Sequence, residues 1–208
     1  MEKLNFNKTR FLKVAAGIND LPPQDRPEIV LSGKSNVGKS SLINALGNNR
    51  KLAKVSQTPG KTRQIIYFDV DDRLLIADLP GYGYSGASHE KTAEFSALCD
   101  NYFKSGRAFR LVLCLIDIRH EPSVSDIAMI EYLNNANIPY FCVFTKCDKL
   151  SRAQTAKQID MMAHYLDFCE DAHVFAVSAQ NQAGISDLRD AIADAVSRSE
   201  ERRVGKEC

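Results

Sequence analysis

The segment Gly33-Lys34-Ser35-Asn36-Val37-Gly38-Lys39-Ser40 constrains this chain more than any other stretch. It satisfies G-x-x-x-x-G-K-[ST], the pattern of a loop that cradles nucleotide phosphates. Its flanks have the geometry that this chemistry needs. Glu28-Ile29-Val30-Leu31-Ser32 reads as a short buried strand, and Ser41-Leu42-Ile43-Asn44-Ala45-Leu46 as the first turns of a helix. In such a unit the backbone N–H groups of the loop and helix N-terminus point at phosphate oxygens, and the helix dipole favours negative charge there. Gly33 and Gly38 permit close approaches that a Cβ would obstruct. Lys39 is placed to reach the outer phosphates, and the Ser40 hydroxyl to ligate Mg²⁺.

Length and composition bound what surrounds this loop. A chain of 208 residues suits one large domain or two very small ones, given ~100–200 residues per domain. With 44% hydrophobic and 25% charged residues it has enough apolar side chains for a core. No apolar run approaches the ~20 residues of a membrane span, and the first eight residues lack the hydrophobic region of a signal peptide. A cytoplasmic protein is expected. The six cysteines form no C-x-x-C pair, and Cys114 and Cys142 lie inside strand-like runs, so reduced, buried thiols are expected rather than disulfides or zinc. The four histidines are scattered and suit surface or structural roles. Residues 198–208 resemble the translation of a sequencing-adapter oligonucleotide; the alternative is a genuine charged, frayed tail. Without them acidic and basic residues balance. The expected division is an arm over 1–27, a nucleotide-binding domain over 28–197 and a non-native tail over 198–208.

The arm, helical or extended, ends in the proline-rich Leu21-Pro22-Pro23-Gln24-Asp25-Arg26-Pro27. From Ile29 to Phe68 there is no acidic residue, while Lys34, Lys39, Arg50, Lys51, Lys54, Lys61 and Arg63 are basic. The stretch Lys51–Arg63 has no apolar periodicity and reads as a long functional loop. Its charge suits a polyanion such as RNA, or serves only the triphosphate and solubility. Two strands, Gln64–Val70 and Arg73–Asp78, joined by Asp71-Asp72, predict an antiparallel hairpin. Helices are expected over Glu90–Lys104, Asp126–Asn135, Arg152–Cys169 and Ile185–Val196, with strands at Leu111–Asp117, Pro139–Thr145 and His173–Val177. This alternation predicts a mostly parallel α/β sheet with ligand loops at the carboxyl ends of its strands.

Later motifs choose the base. Asp78-Leu79-Pro80-Gly81 is D-x-x-G, in which the carboxylate holds Mg²⁺ through water and the Gly81 N–H senses the γ-phosphate. Thr145-Lys146-Cys147-Asp148 has the form [NT]-K-x-D. A carboxylate there accepts from N1–H and the exocyclic amine of guanine, a donor pair that adenine lacks, and an unmatched buried carboxylate costs several kcal/mol. The Lys146 stem is expected along the base, and Ser178-Ala179 at guanine O6.

With Lys54-Val55-Ser56-Gln57-Thr58-Pro59-Gly60-Lys61-Thr62-Arg63-Gln64, Asp78-Leu79-Pro80-Gly81-Tyr82-Gly83-Tyr84 and Asp117-Ile118-Arg119-His120 added, the chain from about Phe6 to Val196 resembles the EngB family of bacterial GTPases. The resemblance implies a three-layer α/β fold of the Ras-like G-domain type, with about six mostly parallel strands, one antiparallel, and helices on both faces. It also implies slow Mg²⁺-dependent hydrolysis of GTP to GDP, a monomer, a role in assembling the large ribosomal subunit, and a link to cell division and septation. The ribosomal precursor and its RNA are the expected partners, with no membrane. The implied nucleotide site comprises Gly33 to Ser41 (with Lys34, Ser35, Asn36 and Val37), Gly60, Lys61 and Thr62, Asp78, Leu79, Pro80 and Gly81, Thr145, Lys146 and Asp148, and Val177, Ser178 and Ala179. Lys39 and Thr62 are the implied catalytic residues, and Ser40 and Thr62 the Mg²⁺ ligands.

Thr62 would release its metal after hydrolysis and let the Lys51–Arg63 loop relax. Tyr82 stands where Ras-like enzymes carry a water-orienting glutamine and cannot do that job. K⁺ held by Asn36, which matches a K⁺ ligand of related GTPases, or the ribosomal particle itself, is the candidate replacement. Tyr82 and Tyr84 suit either partner contacts or packing of the switch. Asp117 is read as capping the loop after its strand rather than pairing with His120. The rival reading is a guanine-nucleotide sensor or scaffold that does not turn over; a kinase on the same loop is a distant third.

Overall fold

The computed structural model describes residues 3–53, 64–82, 98–166 and 173–204, with side chains to residue 197. Seven strands are present: β1 (Thr9–Ala15), β2 (Glu28–Gly33), β3 (Ile65–Val70), β4 (Leu74–Asp78), β5 (Phe109–Asp117), β6 (Tyr140–Thr145) and β7 (His173–Ala176). They form one sheet in the order β1-β3-β4-β2-β5-β6-β7. β3 is antiparallel to both neighbours, and every other pairing is parallel. The expected α/β class and single reversed strand hold; the strand beyond the six expected comes from the arm, whose residues 9–15 are extended and pair with β3. Asp71 and Asp72 both sit at φ +55° in the β3–β4 turn. That double left-handed turn matches the twist of a tight hairpin, and short polar side chains tolerate it.

The central strands are buried on both faces, as their continuous apolar runs require. In β5, Leu111, Leu113 and Leu115 join one core and Val112, Cys114 and Ile116 the other. On the first face lie helices α1 (Lys39–Leu46) and α4 (Ile185–Val204), packed through Leu42, Ile43, Leu188 and Ile192. On the second lie α2 (Val124–Asn135), α3 (Arg152–Ala163) and the helical residues 98–103, contributing Ile130, Leu133, Met162 and Tyr102. The result is the expected three layers.

Three helix boundaries differ from expectation. α2 starts two residues early because Ser123 is its cap: the Ser123 hydroxyl accepts from Asp126 N–H and the Asp126 carboxylate accepts from Ser123 N–H. α3 stops at Ala163, and the following turn buries Leu166 in the second core. The expected end of that helix, and most of the helix over Glu90–Lys104, lie outside the described residues. α4 continues past Val196 to Val204, through part of the stretch 198–208.

The carboxyl ends of β2, β4, β5 and β6 bring Gly33, Asp78, Asp117 and Thr145 to one edge of the sheet, with Val177 just beyond β7. Parallel strands make this convergence, because each connection starts at the same end.

Candidate nucleotide-binding site

The phosphate loop is fastened on two sides. Toward β6, the Thr145 hydroxyl donates to the Val37 carbonyl at 2.7 Å and the Lys146 ammonium donates to the Asn36 carbonyl at 2.8 Å. Toward β4, Ser35 N–H donates to the Tyr82 carbonyl at 2.8 Å and the Ser35 hydroxyl to the Gly81 carbonyl at 3.0 Å. Gly38 ends the loop at φ +116° and opens α1, a conformation that favours glycine. At Gly81 the constraint is proximity: an added Cβ would lie 2.8 Å from both Ser35 N and Lys39 Nζ.

Two charged groups, the half-buried Lys39 and the buried Asp78, lie between the loop and β4. The Lys39 ammonium donates to the Gly33 carbonyl at 3.3 Å; burial lowers its pKa, opposed by the charges of Asp78 and Cys99. Asp78 is 6% exposed, and its Oδ1 has no hydrogen-bond partner among the described residues. Burial raises its carboxyl to about 6, with Lys39 pulling the other way. An orphaned buried carboxylate oxygen costs free energy unless a cation or water meets it. These residues therefore fit a hydrated divalent ion beside an anion. Ser40, half-buried on the first turn of α1, is the nearest hydroxyl in sequence. The other expected metal ligand, Thr62, lies with Gly60 and Lys61 outside the described residues.

On the far side of Gly38 is a cavity of about 200 Å³, bordered by Ser41, Thr145, Asp148, Val177 and Ala179. Asp148 lies on a single 3-10 turn, Cys147–Lys149. The Ser178 hydroxyl donates to Asp148 Oδ1 at 2.7 Å while accepting from the N–H groups of Gln180 and Asn181. Lys149 reaches the other carboxylate oxygen at 3.2 Å. The Ser178 hydrogen bond, and then Lys149, hold the carboxyl below its ordinary range despite partial burial. The result is an ionised acceptor, fixed in orientation, at the cavity's edge.

Thus the expected residues of the phosphate loop, of Asp78–Gly81, of Thr145–Asp148 and of Val177–Ala179 do converge on one edge. Three roles differ from, or add to, the sequence reading. Ser178 acts on Asp148 through its side chain, beyond any backbone contact it offers. The Lys146 ammonium is turned to Asn36 and to Asp117, whose Oδ2 lies at 2.8 Å. Tyr82 is buried, and its hydroxyl donates to Asp126 Oδ1 at 2.7 Å, so it packs the switch region rather than offering an exposed contact. Burial, and then the Asp126 charge, push this phenol far above its usual range. Asp117 does cap the following turn, accepting from Arg119 N–H at 3.1 Å. Of these, the S-x-x-D signature of Ser123 and Asp126 was visible in the sequence; its partnership with Tyr82, across 44 residues, had no local signal. Tyr84 lies outside the described residues.

Comparisons with known proteins agree with this architecture. A family model described as 50S ribosome-binding GTPase matches residues 28–146. The chain is 43% identical over 192 residues to the probable GTP-binding protein EngB of Syntrophomonas wolfei, covering 92% of this chain and 98% of the relative. It is 37% identical to the corresponding protein of Desulfitobacterium hafniense, covering 95% and 98%. The crystal structure of a probable GTP-binding protein engB superposes with a TM-score of 0.69 at 22% identity, covering 82% of this chain and 99% of that one. Bacterial selenocysteine-specific elongation factor shares the fold over 83% of this chain and 29% of its own, with a TM-score of 0.58 at 20% identity. Sequence motifs, sheet order and relatives converge, and the chain belongs to the EngB family of GTP-binding proteins.

Proposed function

We propose that this protein is a guanine-nucleotide switch that hydrolyses GTP slowly with Mg²⁺ and acts in assembly of the large ribosomal subunit, with normal cell division and septation depending on that work. The observation that carries the nucleotide reading is the Ser178–Asp148 pair at the mouth of a cavity that adjoins the phosphate loop. A fixed carboxylate there matches the paired N–H donors of guanine. The phosphates would lie along the Ser35–Ser40 backbone, and Lys39 would exchange its single carbonyl contact for phosphate oxygens. Mg²⁺, where bound, neutralises charge that builds on the β- and γ-phosphates; Ser40 and Thr62 would hold it directly and Asp78 through water. The partner reading is supported by the family description and by the acid-free stretch from Ile29 to Phe68.

Tyr82 bears on turnover. Its hydroxyl is committed to Asp126, so it supplies neither a water-positioning group nor charge at the γ-phosphate. Intrinsic hydrolysis is therefore expected to be slow, with stimulation by K⁺ or by the ribosomal particle. The same observation favours the second reading, a sensor that binds guanine nucleotide without turnover. Single-turnover GTP hydrolysis with and without large-subunit particles, in K⁺ and in Na⁺, separates the two. Stimulation by particles supports the switch; no hydrolysis under any of these conditions supports the sensor. If K⁺ is the stimulant, the rate is higher in K⁺ than in Na⁺, and Asn36→Ala abolishes the difference. Equal wild-type rates in the two salts remove the cation from the account.

A further inference from the structure

Behind the phosphate loop, the end of β5 carries a polar brace that no expected nucleotide contact explains. Asp117 Oδ1 accepts from the Arg119 N–H at 3.1 Å and from Arg119 Nε at 2.9 Å. Its Oδ2 accepts from Arg119 Nη2 at 2.7 Å and from Lys146 Nζ at 2.8 Å. The same Lys146 ammonium donates to the Asn36 carbonyl at 2.8 Å. A continuous path thus runs from guanidinium to carboxylate to ammonium to phosphate-loop carbonyl, and it links three strand-end loops.

Asn36, which accepts from the ammonium, and Lys146, which carries it, both lie in the left-handed region. Asn36 sits at φ +63° and Lys146 at φ +64°. A lysine holds the left-handed region only where its surroundings determine it, whereas a short polar side chain such as asparagine tolerates it. A lysine head on a four-carbon stem samples many rotamers unless something fixes it. Asp117 supplies that fixing. Burial works to raise its pKa, yet the hydrogen bonds from Arg119 and Lys146 outweigh it and hold the carboxyl well below the usual carboxylate range. Its side chain is only 15% exposed, so solvent screens the pair weakly.

We propose that Asp117 is a positioning residue for nucleotide binding: by holding the Lys146 ammonium on the Asn36 carbonyl, it pre-forms the phosphate loop and couples it to the loop that carries Asp148. This rests on the guanine-nucleotide reading of the site. A pre-formed loop loses less freedom on binding, so the effect appears chiefly as slow release. Because Asp117 acts through Lys146, its contribution vanishes when the ammonium is absent.

The test uses the full chain with Mg²⁺ and fluorescent analogues of GDP and GTP, and reads release rates. Asp117→Asn keeps the side chain's shape and its acceptor for Arg119 N–H, so the turn is preserved. It should release both nucleotides about tenfold faster, the scale of one weakened charge-assisted hydrogen bond. Lys146→Met should also speed release, and adding Asp117→Asn to it should change nothing further. A carboxylate that only caps the turn behaves otherwise: Asp117→Asn would release at the wild-type rate, or would accelerate release equally with and without the Lys146 ammonium. Either result overturns the proposal. A wild-type chain that binds neither nucleotide overturns the guanine reading and this inference with it, whereas tight wild-type binding beside an unaffected Asp117→Asn overturns this inference alone.

Discussion

Glu28 and Asp78 are two buried carboxylates on neighbouring parallel strands, and their surroundings are opposite. Glu28 begins β2 at the amino edge of the sheet, fully buried. It accepts two forked contacts from Arg107 and a hydrogen bond from the Tyr102 hydroxyl, with the Tyr67 hydroxyl close by. Arg107 also donates to the Pro22 carbonyl, so this cluster ties the arm to the sheet. Asp78 ends β4 at the carboxyl edge, almost as buried, with one oxygen that has no hydrogen-bond partner among the described residues and its carboxyl raised to about 6 by burial. At the amino edge the Glu28 carboxylate has been met by protein. At the carboxyl edge no described residue donates to Asp78 Oδ1. Under the proposed function, the Asp78 oxygen that no described residue meets is the one that a hydrated cation would face.

The largest effect should come from breaking the satisfied cluster. Glu28→Ala leaves the Arg107 guanidinium partly buried without its partner, and should cost about 3–5 kcal/mol of stability. Urea unfolding of the nucleotide-free chain measures it; a loss under about 1 kcal/mol, the scale of a surface ion pair, would break the contrast. Asp78→Asn should behave the other way round. Nucleotide-free stability is expected to hold or rise, while Mg²⁺ affinity in the GTP complex falls by about 10- to 100-fold. A variant as unstable as the Glu28 one would show that Asp78 is structural after all.

The same contrast has a pH form. A folded-state carboxyl raised to about 6 binds its proton more tightly than the unfolded chain does near 3.8. The stability it contributes is fully present below the unfolded value and is lost as pH rises through the folded one. Metal-free wild type should therefore lose stability relative to Asp78→Asn between about pH 4 and 7. Parallel curves would contradict the burial of an unmet charge. The smallest effect is expected at Tyr82. Tyr82→Phe removes the donor to Asp126 Oδ1 while Ser123 still meets Oδ2, costing about 1 kcal/mol, the low end for a buried acceptor that loses a donor. Hydrolysis should keep its rate, because the hydroxyl points to α2 and not to the phosphates; a marked drop would restore Tyr82 to the chemistry.

Much of this arrangement was legible beforehand, for definite reasons. The phosphate loop announces itself because glycine, lysine and serine are each required at fixed spacing, and the two-faced apolar run of β5 has no other home than a covered parallel sheet. Asp148 was readable because its motif is local. The partnerships that complete the site were not. Asp117 with Lys146 spans 29 positions and Ser178 with Asp148 spans 30, distances over which sequence carries no geometric signal. The arm's strand β1 has an irregular burial pattern, with charged side chains on its open side, so it lacked the alternation that marks a strand. Glu28 looked like an ordinary polar start to a strand, since Arg107 and Tyr102 reach it from more than seventy residues away.

The claim at the centre of the account is that the cavity beside Asp148 reads guanine. Titrating the chain with fluorescent GTP, GDP and ATP in Mg²⁺ tests it directly. GTP and GDP should both bind, with ATP weaker by about a thousandfold or more, because adenine lacks the pair of N–H donors that guanine offers to the Asp148 carboxylate. ATP bound as tightly as GTP would contradict the account.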